Sequence, residues 1–218
     1  MMSDSSINPG EVAALFRAVM ANASMQGYRA TVVLSGEREW GLSLAQTILR
    51  PLNMSRVLWL GDTMPTGLEV LAKNEARRQL GQELDGVVLD AFAGFDAEIF
   101  GSVVGALRAG GLFILLAPPL EKWREYLDPE HAKLAVTPID PEKISGRFLH
   151  HIARVLQHSP GIYVLKQGEM LPEVSAVSGT PWHQPWLQEG VTAGQHLAVE
   201  AIKRVVHGHR RRPLVLTS

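Results

Sequence analysis

RATVVLSGEREWGLS, residues Arg29 to Ser43, reads as a buried strand, a glycine-bracketed turn and the opening of a helix. That arrangement is the frame of a phosphate site, because the first turn of a helix presents unpaired backbone N–H groups to an anion. From Gly36 to Ser43 the pattern is G-x-x-x-x-G-L-S, which matches the phosphate loop G-x-x-x-x-G-K-[ST] except that Leu42 stands where the lysine belongs. Glu37 and Glu39 bring negative charge into the same turn. A carboxylate roughly 6 Å from one phosphate charge costs about 2–3 kcal/mol at an effective dielectric of ~20, and Arg38 offsets only part of that. Two readings fit: a simple strand-to-helix turn, or a nucleotide-binding fold whose loop has lost its ligand. Under either, the turn is expected to hold no nucleoside triphosphate.

Outward from this stretch the pattern repeats. Val12, Leu15, Phe16, Val19 and Met20 lie at helical spacing between Pro9 and Gln26, with Asn8 as cap and Pro9 at the first helical position. Leu42, Ala45, Ile48 and Leu49 mark a helix stopped near Pro51. Val57–Leu60 is a short apolar strand, and a helix is expected through Leu68, Leu71 and Ala76 to Leu80. Asp85–Asp90 is a strand apolar throughout, which fits burial on both faces of a parallel sheet. A helix over Asp96–Leu107, a turn at Gly110-Gly111, a strand over Leu112–Ala117 closed by Pro118-Pro119, an amphipathic helix over Gly146–His158 and a strand at Gly161–Leu165 complete the series. This alternation predicts an α/β fold with a doubly wound, mostly parallel sheet, Rossmann-like or RecA-like, in three layers.

Ligands in such folds sit at the carboxyl ends of the strands, where Gly36, Asp62, Asp90 and Pro118 are expected to gather. Asp62 has the position of a ribose-binding acid, but no G-x-G-x-x-G accompanies it, so a turn-capping role is favoured. Asp90 ends V-V-L-D, the shape of a magnesium-holding strand; with no loop lysine, a helix cap or turn is again the better reading.

The composition narrows the function classes. With 46% hydrophobic and 20% charged residues, the 218-residue chain can bury a core, and a net charge of −1 confines any nucleic-acid contact to a local patch. Cysteine is absent, which removes disulfides, thiolate nucleophiles and cysteine-based zinc sites together, and the eight histidines show no ligand spacing. No metal site is expected. The N-terminus has neither a basic nor an apolar leader segment and no apolar run is long enough to span a bilayer, so a cytoplasmic protein is expected.

From Gln167 to Gly190 the periodicity stops. Pro172, Pro181 and Pro185 punctuate a stretch holding Trp182, His183 and Trp186, whose rings either stack nucleobases or, as favoured here, pin a linker to its own domain. Val191–Gly208 is a further helix in which Thr192 and Gln195 fit a capping box. A basic turn, His207–Arg212, precedes Pro213–Ser218, an apolar strand with no helix after it. Such an ending leaves an uncovered strand edge, so the sequence is expected to break off inside a larger protein. The organisation is therefore an α/β domain over residues 1–166, a linker over 167–190, and the start of a further domain over 191–218.

Capped helix, short turn and P-L-V-L-T-S resemble the start of a helicase motor domain just before its phosphate loop. More specifically, Leu84–Phe92 (LDGVVLDAF), Leu107–Leu112 (LRAGGL), Pro118–Leu120, Asp128–His131 (DPEH) and Ser145–Phe148 (SGRF) resemble the N-terminal part of the bacterial tRNA(Met) cytidine acetyltransferase family, related to the eukaryotic RNA cytidine acetyltransferases. The resemblance spans most of the chain. It implies a parent in which this domain precedes an ATP-dependent helicase module and an acetyltransferase module, and which transfers acetyl from acetyl-CoA to the exocyclic amine of the wobble cytidine in elongator tRNA(Met), using ATP with magnesium. Only the edge of the ATP site would fall within the sequence: Gln195 matches the adenine-contacting glutamine, and Thr217 and Ser218 lead into the phosphate loop. No catalytic residue and no bound cofactor are expected in this piece, which leaves a scaffolding or tRNA-positioning role.

One surface suits RNA. Arg147, His151, Arg154 and His158 share a helical face opposite Phe148, Ile152 and Val155, and Arg210, Arg211 and Arg212 add a second cluster. A solvated helix face is the alternative for the first. For the whole chain the alternative is a free-standing Rossmann-like enzyme binding a nucleotide or S-adenosylmethionine at Gly36 and Asp62.

Overall fold

The computed structural model describes residues 8–52, 54–63, 65–68, 70–71, 82–134, 140, 144–174, 197 and 200. All but the last two belong to the first of two compact units, Met1–Pro181, and the fold below is that of this unit. Helix α1 (Pro9–Gln26) opens it: the Asn8 side chain accepts the Gly10 N–H, Pro9 fills a position that needs no donor, and Gly27 closes the helix at φ 70°. Strand β1 (Ala30–Ser35), helix α2 (Arg38–Leu52), strands β2 (Val57–Leu60) and β3 (Leu84–Asp90), helix α3 (Ala97–Ala106), strand β4 (Leu107–Ala117), helices α4 (His131–Leu134) and α5 (Arg147–His158), and strand β5 (Ile162–Lys166) follow.

The five strands form one sheet in the order β2-β3-β4-β1-β5, and every pairing is parallel. The doubly wound α/β expectation is met. In the dinucleotide-binding order 3-2-1-4-5-6 the first strand lies beside the second. Here β1 lies between β4 and β5, which sets the sheet apart from the Rossmann variant.

The chain leaves β1 toward β2 at one edge and then returns strand by strand to β5 at the other. Because parallel crossovers are right-handed, this reversal puts helices on opposite faces. Accordingly Val32 and Leu34 of β1, Ile114 and Leu116 of β4, and Val88 of β3 pack with α1 and α2, while Val33, Phe113, Leu115, Val87 and Leu89 pack with α3 and α5. Alternate residues of each strand thus serve two cores, which is why the strands read as unbroken apolar runs.

Two expectations are corrected. Leu71 is not helical: its backbone exchanges hydrogen bonds with β2, from the Trp59 N–H to the Leu71 carbonyl (2.8 Å) and from the Leu71 N–H to the Val57 carbonyl (2.7 Å). As the edge strand, β2 leaves one row of N–H and C=O groups that the returning chain satisfies. Residues 72–81 of the expected helix lie outside the described residues. Gly110-Gly111 does not precede its strand but lies within β4, where the register with β3 jumps from Leu84↔Leu107 to Gly86↔Leu112. Gly110 takes φ 74° and its N–H reaches the Tyr28 carbonyl at 2.8 Å, a conformation that suits glycine.

Candidate functional site

The connections from β1 and β4 leave the sheet in opposite directions, so the crevice at their carboxyl ends is the position where folds of this class bind ligands. Ser35, Gly36 and Arg38 reach it from β1, Pro118 and Leu120 from β4, Asp90 from β3 and Gln167 from β5. The expected gathering of Gly36, Asp90 and Pro118 is present: the Gly36 N–H donates to the Ala117 carbonyl (3.1 Å), and Ser35 Oγ accepts the Leu120 N–H (3.1 Å).

The phosphate-loop frame, however, is closed. Helix α2 begins at Arg38, so much of the span from Gly36 to Gly41 that a cradle would leave open is helical, and Gly41 is buried against Leu116. The Gln167 N–H donates to the Ser35 carbonyl (3.0 Å), continuing the β1–β5 ladder and holding the Gln167 side chain over the turn. Its Oε1 then accepts the Glu37 N–H at 2.7 Å. A Cβ on Gly36 would stand 2.6 Å from that same oxygen, so the glycine serves the close approach of Gln167.

The cation is engaged as well. Arg38 donates from Nε (3.0 Å) and Nη2 (2.7 Å) to Oδ2 of Asp90, whose side chain is fully buried, and Nη2 lies 3.7 Å from exposed Asp62. Its hydrogen bonding to Asp90 raises the Arg38 pKa further above its ordinary value, against the opposing effect of burial. The other Asp90 oxygen accepts the Phe92 N–H (3.1 Å), capping the 3-10 turn Ala91–Ala93, as the sequence reading favoured. Gly61 lets the end of β2 approach, since a Cβ there would stand 2.9 Å from the Asp90 Cβ. Among the described residues the crevice therefore offers a triphosphate neither a free cation nor an open cradle of N–H groups.

The sequence from residue 2 to 167 matches the family model described as tRNA(Met) cytidine acetyltransferase TmcA, N-terminal. The chain belongs to the TmcA family. It is 41% identical over 207 residues to the tRNA(Met) cytidine acetyltransferase TmcA of Nitrosococcus halophilus, covering 92% of this chain and 28% of that protein. The TmcA proteins of Yersinia pestis and Haloarcula marismortui are each 30% identical, over 74% and 78% of this chain and 23% and 22% of theirs. The chain thus spans less than a third of the length of these TmcA relatives. The matched region lies within the Met1–Pro181 unit and takes in all five strands of the sheet.

Of the residues singled out for RNA contact in this TmcA domain, Arg147, His151 and Arg154 lie exposed on α5. Of the apolar residues expected opposite them, Ile152 packs on the core, but Phe148 and Val155 lie at its margin. Leu149 and Ala153 are buried, with Ile152 and Leu156 partly so, whereas Phe148 and Val155 are 49% and 41% exposed. The apolar residues of α5 form one broad face, and the sheet takes its Leu149–Ala153 side while Phe148 and Val155 lie along the other margin. Gly146 fixes its start, because a Cβ there would lie 1.9 Å from the Arg124 carbonyl oxygen. Gln195, Thr217, Ser218, Arg210, Arg211, Arg212 and the tryptophans of the linker lie outside the described residues.

One cavity was not foreseen. At the N-terminal ends of α3 and α5, an open cavity of about 360 Å³ is lined by Phe95, Phe148 and Leu149, with Glu98, His131 and Lys133 among the polar groups around it. The family phrase DPEH builds part of its wall: Asp128, 5% exposed, accepts the N–H groups of Phe95 (3.1 Å) and Glu130 (2.8 Å). Among the described residues no cluster of His, Asp and Glu suits a metal ion, and no helix is long and apolar enough to cross a membrane.

Proposed function

We propose that this chain is the non-catalytic, tRNA-handling N-terminal module of a cytoplasmic tRNA(Met) cytidine acetyltransferase. In the parent, helicase and acetyltransferase modules in the remainder of the protein would use ATP with magnesium, and acetyl-CoA, to acetylate the wobble cytidine of elongator tRNA(Met). The family membership and the names of the relatives support the parent's activity. The observation that carries the non-catalytic role is the closed turn after β1, where Gln167 takes the Glu37 N–H and Asp90 takes the Arg38 guanidinium. These residues do not fit a nucleotide. Nor does the turn leave room for the nucleotide or S-adenosylmethionine of a free-standing enzyme at Gly36.

The contribution to tRNA binding falls to α5. Its exposed Arg147, His151 and Arg154 supply local positive charge on a chain of net charge −1. Titration calorimetry of the chain with magnesium-ATP is expected to give no binding, while binding of tRNA(Met) is expected to weaken steeply with salt through counterion release. Reversal of charge in Arg147→Glu/Arg154→Glu should weaken tRNA binding and flatten its salt dependence. Saturable ATP binding abolished by Arg38→Ala, or tRNA binding indifferent to the double reversal, would overturn this reading.

A further inference from the structure

We propose that the cavity between the N-terminal ends of α3 and α5 receives one unstacked nucleobase of single-stranded RNA, a base carrying an exocyclic amine. This rests on the RNA-handling role above and names the group recognised. The cavity, about 360 Å³, falls in the size range of small-molecule sites. Phe148 supplies the stacking face: half its surface is exposed, yet its ring is backed by Phe95 at a centroid distance of 5.9 Å, so it is both accessible and held. Aromatic rings presented beside positive charge are the general means of holding single strands.

Charge is divided in the way such a ligand requires. Outside the cavity, Arg147 precedes Phe148 directly and His151 and Arg154 continue along the same exposed helix, within reach of a phosphate backbone. At the cavity, most polar groups are already engaged. Asp96 caps α3 by accepting the Glu98 and Ile99 N–H groups (both 3.0 Å), and Glu130 pairs with Lys133 at 2.6 Å. The Glu98 carboxylate has no side-chain partner among the described residues, and His131 Nδ1 is buried with none. The Glu98 carboxylate repels phosphate but accepts the N4 amine of cytosine or the N6 amine of adenine; uracil presents a carbonyl oxygen in place of the N4 amine, which a carboxylate repels.

Fluorescence anisotropy of the 218-residue chain with short oligocytidine and oligouridine at low salt tests this. Oligocytidine is expected to bind roughly threefold to tenfold more tightly, the range one modest hydrogen bond supplies. Phe148→Ala should weaken both by roughly fivefold or more, and Phe148→Trp should retain binding because it keeps the stacking face. Glu98→Ala should remove the preference for cytidine, bringing the two affinities together, with oligouridine binding no weaker than before because a carboxylate that repels phosphate is gone. Equal affinity for the two oligomers, or unchanged binding by Phe148→Ala, overturns the base site; if Arg147→Glu/Arg154→Glu still weakens binding, the RNA-handling role survives that result. Absence of binding to both oligomers and to tRNA overturns both.

Discussion

Replacing Arg38 by methionine isolates the interaction on which the closed crevice depends. Arg38 donates two hydrogen bonds to one oxygen of a carboxylate that is fully buried, and the variant leaves that carboxylate with the Phe92 N–H alone. Breaking a buried pair by removing one partner costs about 3–5 kcal/mol, because the remaining charge stays out of water uncompensated. Arg38 is itself 29% exposed, so water can approach the vacated position and the lower end, about 3 kcal/mol, is expected here. Asp90→Asn is a milder change: it keeps an acceptor for the Phe92 N–H and leaves Arg38 the nearby Asp62, for about 1–2 kcal/mol. The double variant removes both charges and should cost less than the sum of the singles by about 1.5–2 kcal/mol, a coupling typical of groups in direct contact. Urea denaturation of the four proteins, followed by far-ultraviolet circular dichroism, measures each quantity. Additivity within about 0.5 kcal/mol would show that the two residues act independently and would refute the account of the crevice as closed by this pair.

Three further outcomes are expected. Gly36→Ala meets both Oε1 (2.6 Å) and Cβ (2.7 Å) of Gln167 and should destabilise by about 1–2 kcal/mol, with much of the loss absent in a Gln167→Gly background, which removes both atoms; equal losses in both backgrounds, read by thermal melting, would remove Gln167 as the cause. Gly146→Ala drives a Cβ into the backbone carbonyl of Arg124 and should cost about 3 kcal/mol or more, seen as a lowered urea midpoint; a neutral result would contradict the close approach at the start of α5. Asp85 is a pH-sensitive position: burial alone would raise its pKa, but the N–H groups of Arg56 and Ser55 and the Arg108 guanidinium hold it below the ordinary carboxylate value. Its contribution is therefore present above pH ~4 and lost as pH falls through the lowered native value. The melting temperature of the parent should converge on that of Asp85→Asn in that acid range, and a constant gap from pH 7 to 3 would refute the assignment.

What the sequence disclosed were features written locally. Asn8-Pro9 announces the start of α1 because cap and first helical position are adjacent, and the apolar runs of β1, β3 and β4 announce burial on two faces because every residue in them must meet one core or the other. Asp90 was legible as a cap for the same reason, its partner lying two residues on. The crevice was only half legible. The missing lysine at Leu42 showed that the loop lacked its charge, but the group that covers the turn, Gln167, is 130 positions away and sits in no motif. Arg38 finds Asp90 across 52 positions, a pairing set by strand order and not by spacing. On α5 the periodicity identified the helix and its cationic residues, but with Phe148, Leu149, Ile152, Ala153, Val155 and Leu156 all apolar it did not select the buried side.

The same long-range contacts give the crevice a different mechanical meaning from the one its frame suggests. A phosphate loop works by leaving donors unsatisfied until a ligand arrives. Here the Glu37 N–H is tied to the end of β5 through Gln167, and Arg38 is tied to the end of β3 through Asp90, so the turn after β1 joins strands on both sides of it. Opening it for a ligand would break a bond to a buried carboxylate, and an incoming phosphate would have to repay that loss while facing Glu37 and Asp62. The carboxyl ends of the strands are thereby made rigid and unreceptive. On the α3–α5 face the balance is reversed, since Phe148 is half exposed, Glu98 has no side-chain partner among the described residues and Arg147, His151 and Arg154 face solvent. Exposed aromatic and cationic surface is where such a domain can still gain free energy by binding RNA, and among the described residues Phe148, Arg147, His151 and Arg154 bring the two together on α5, away from the turn its sequence advertises.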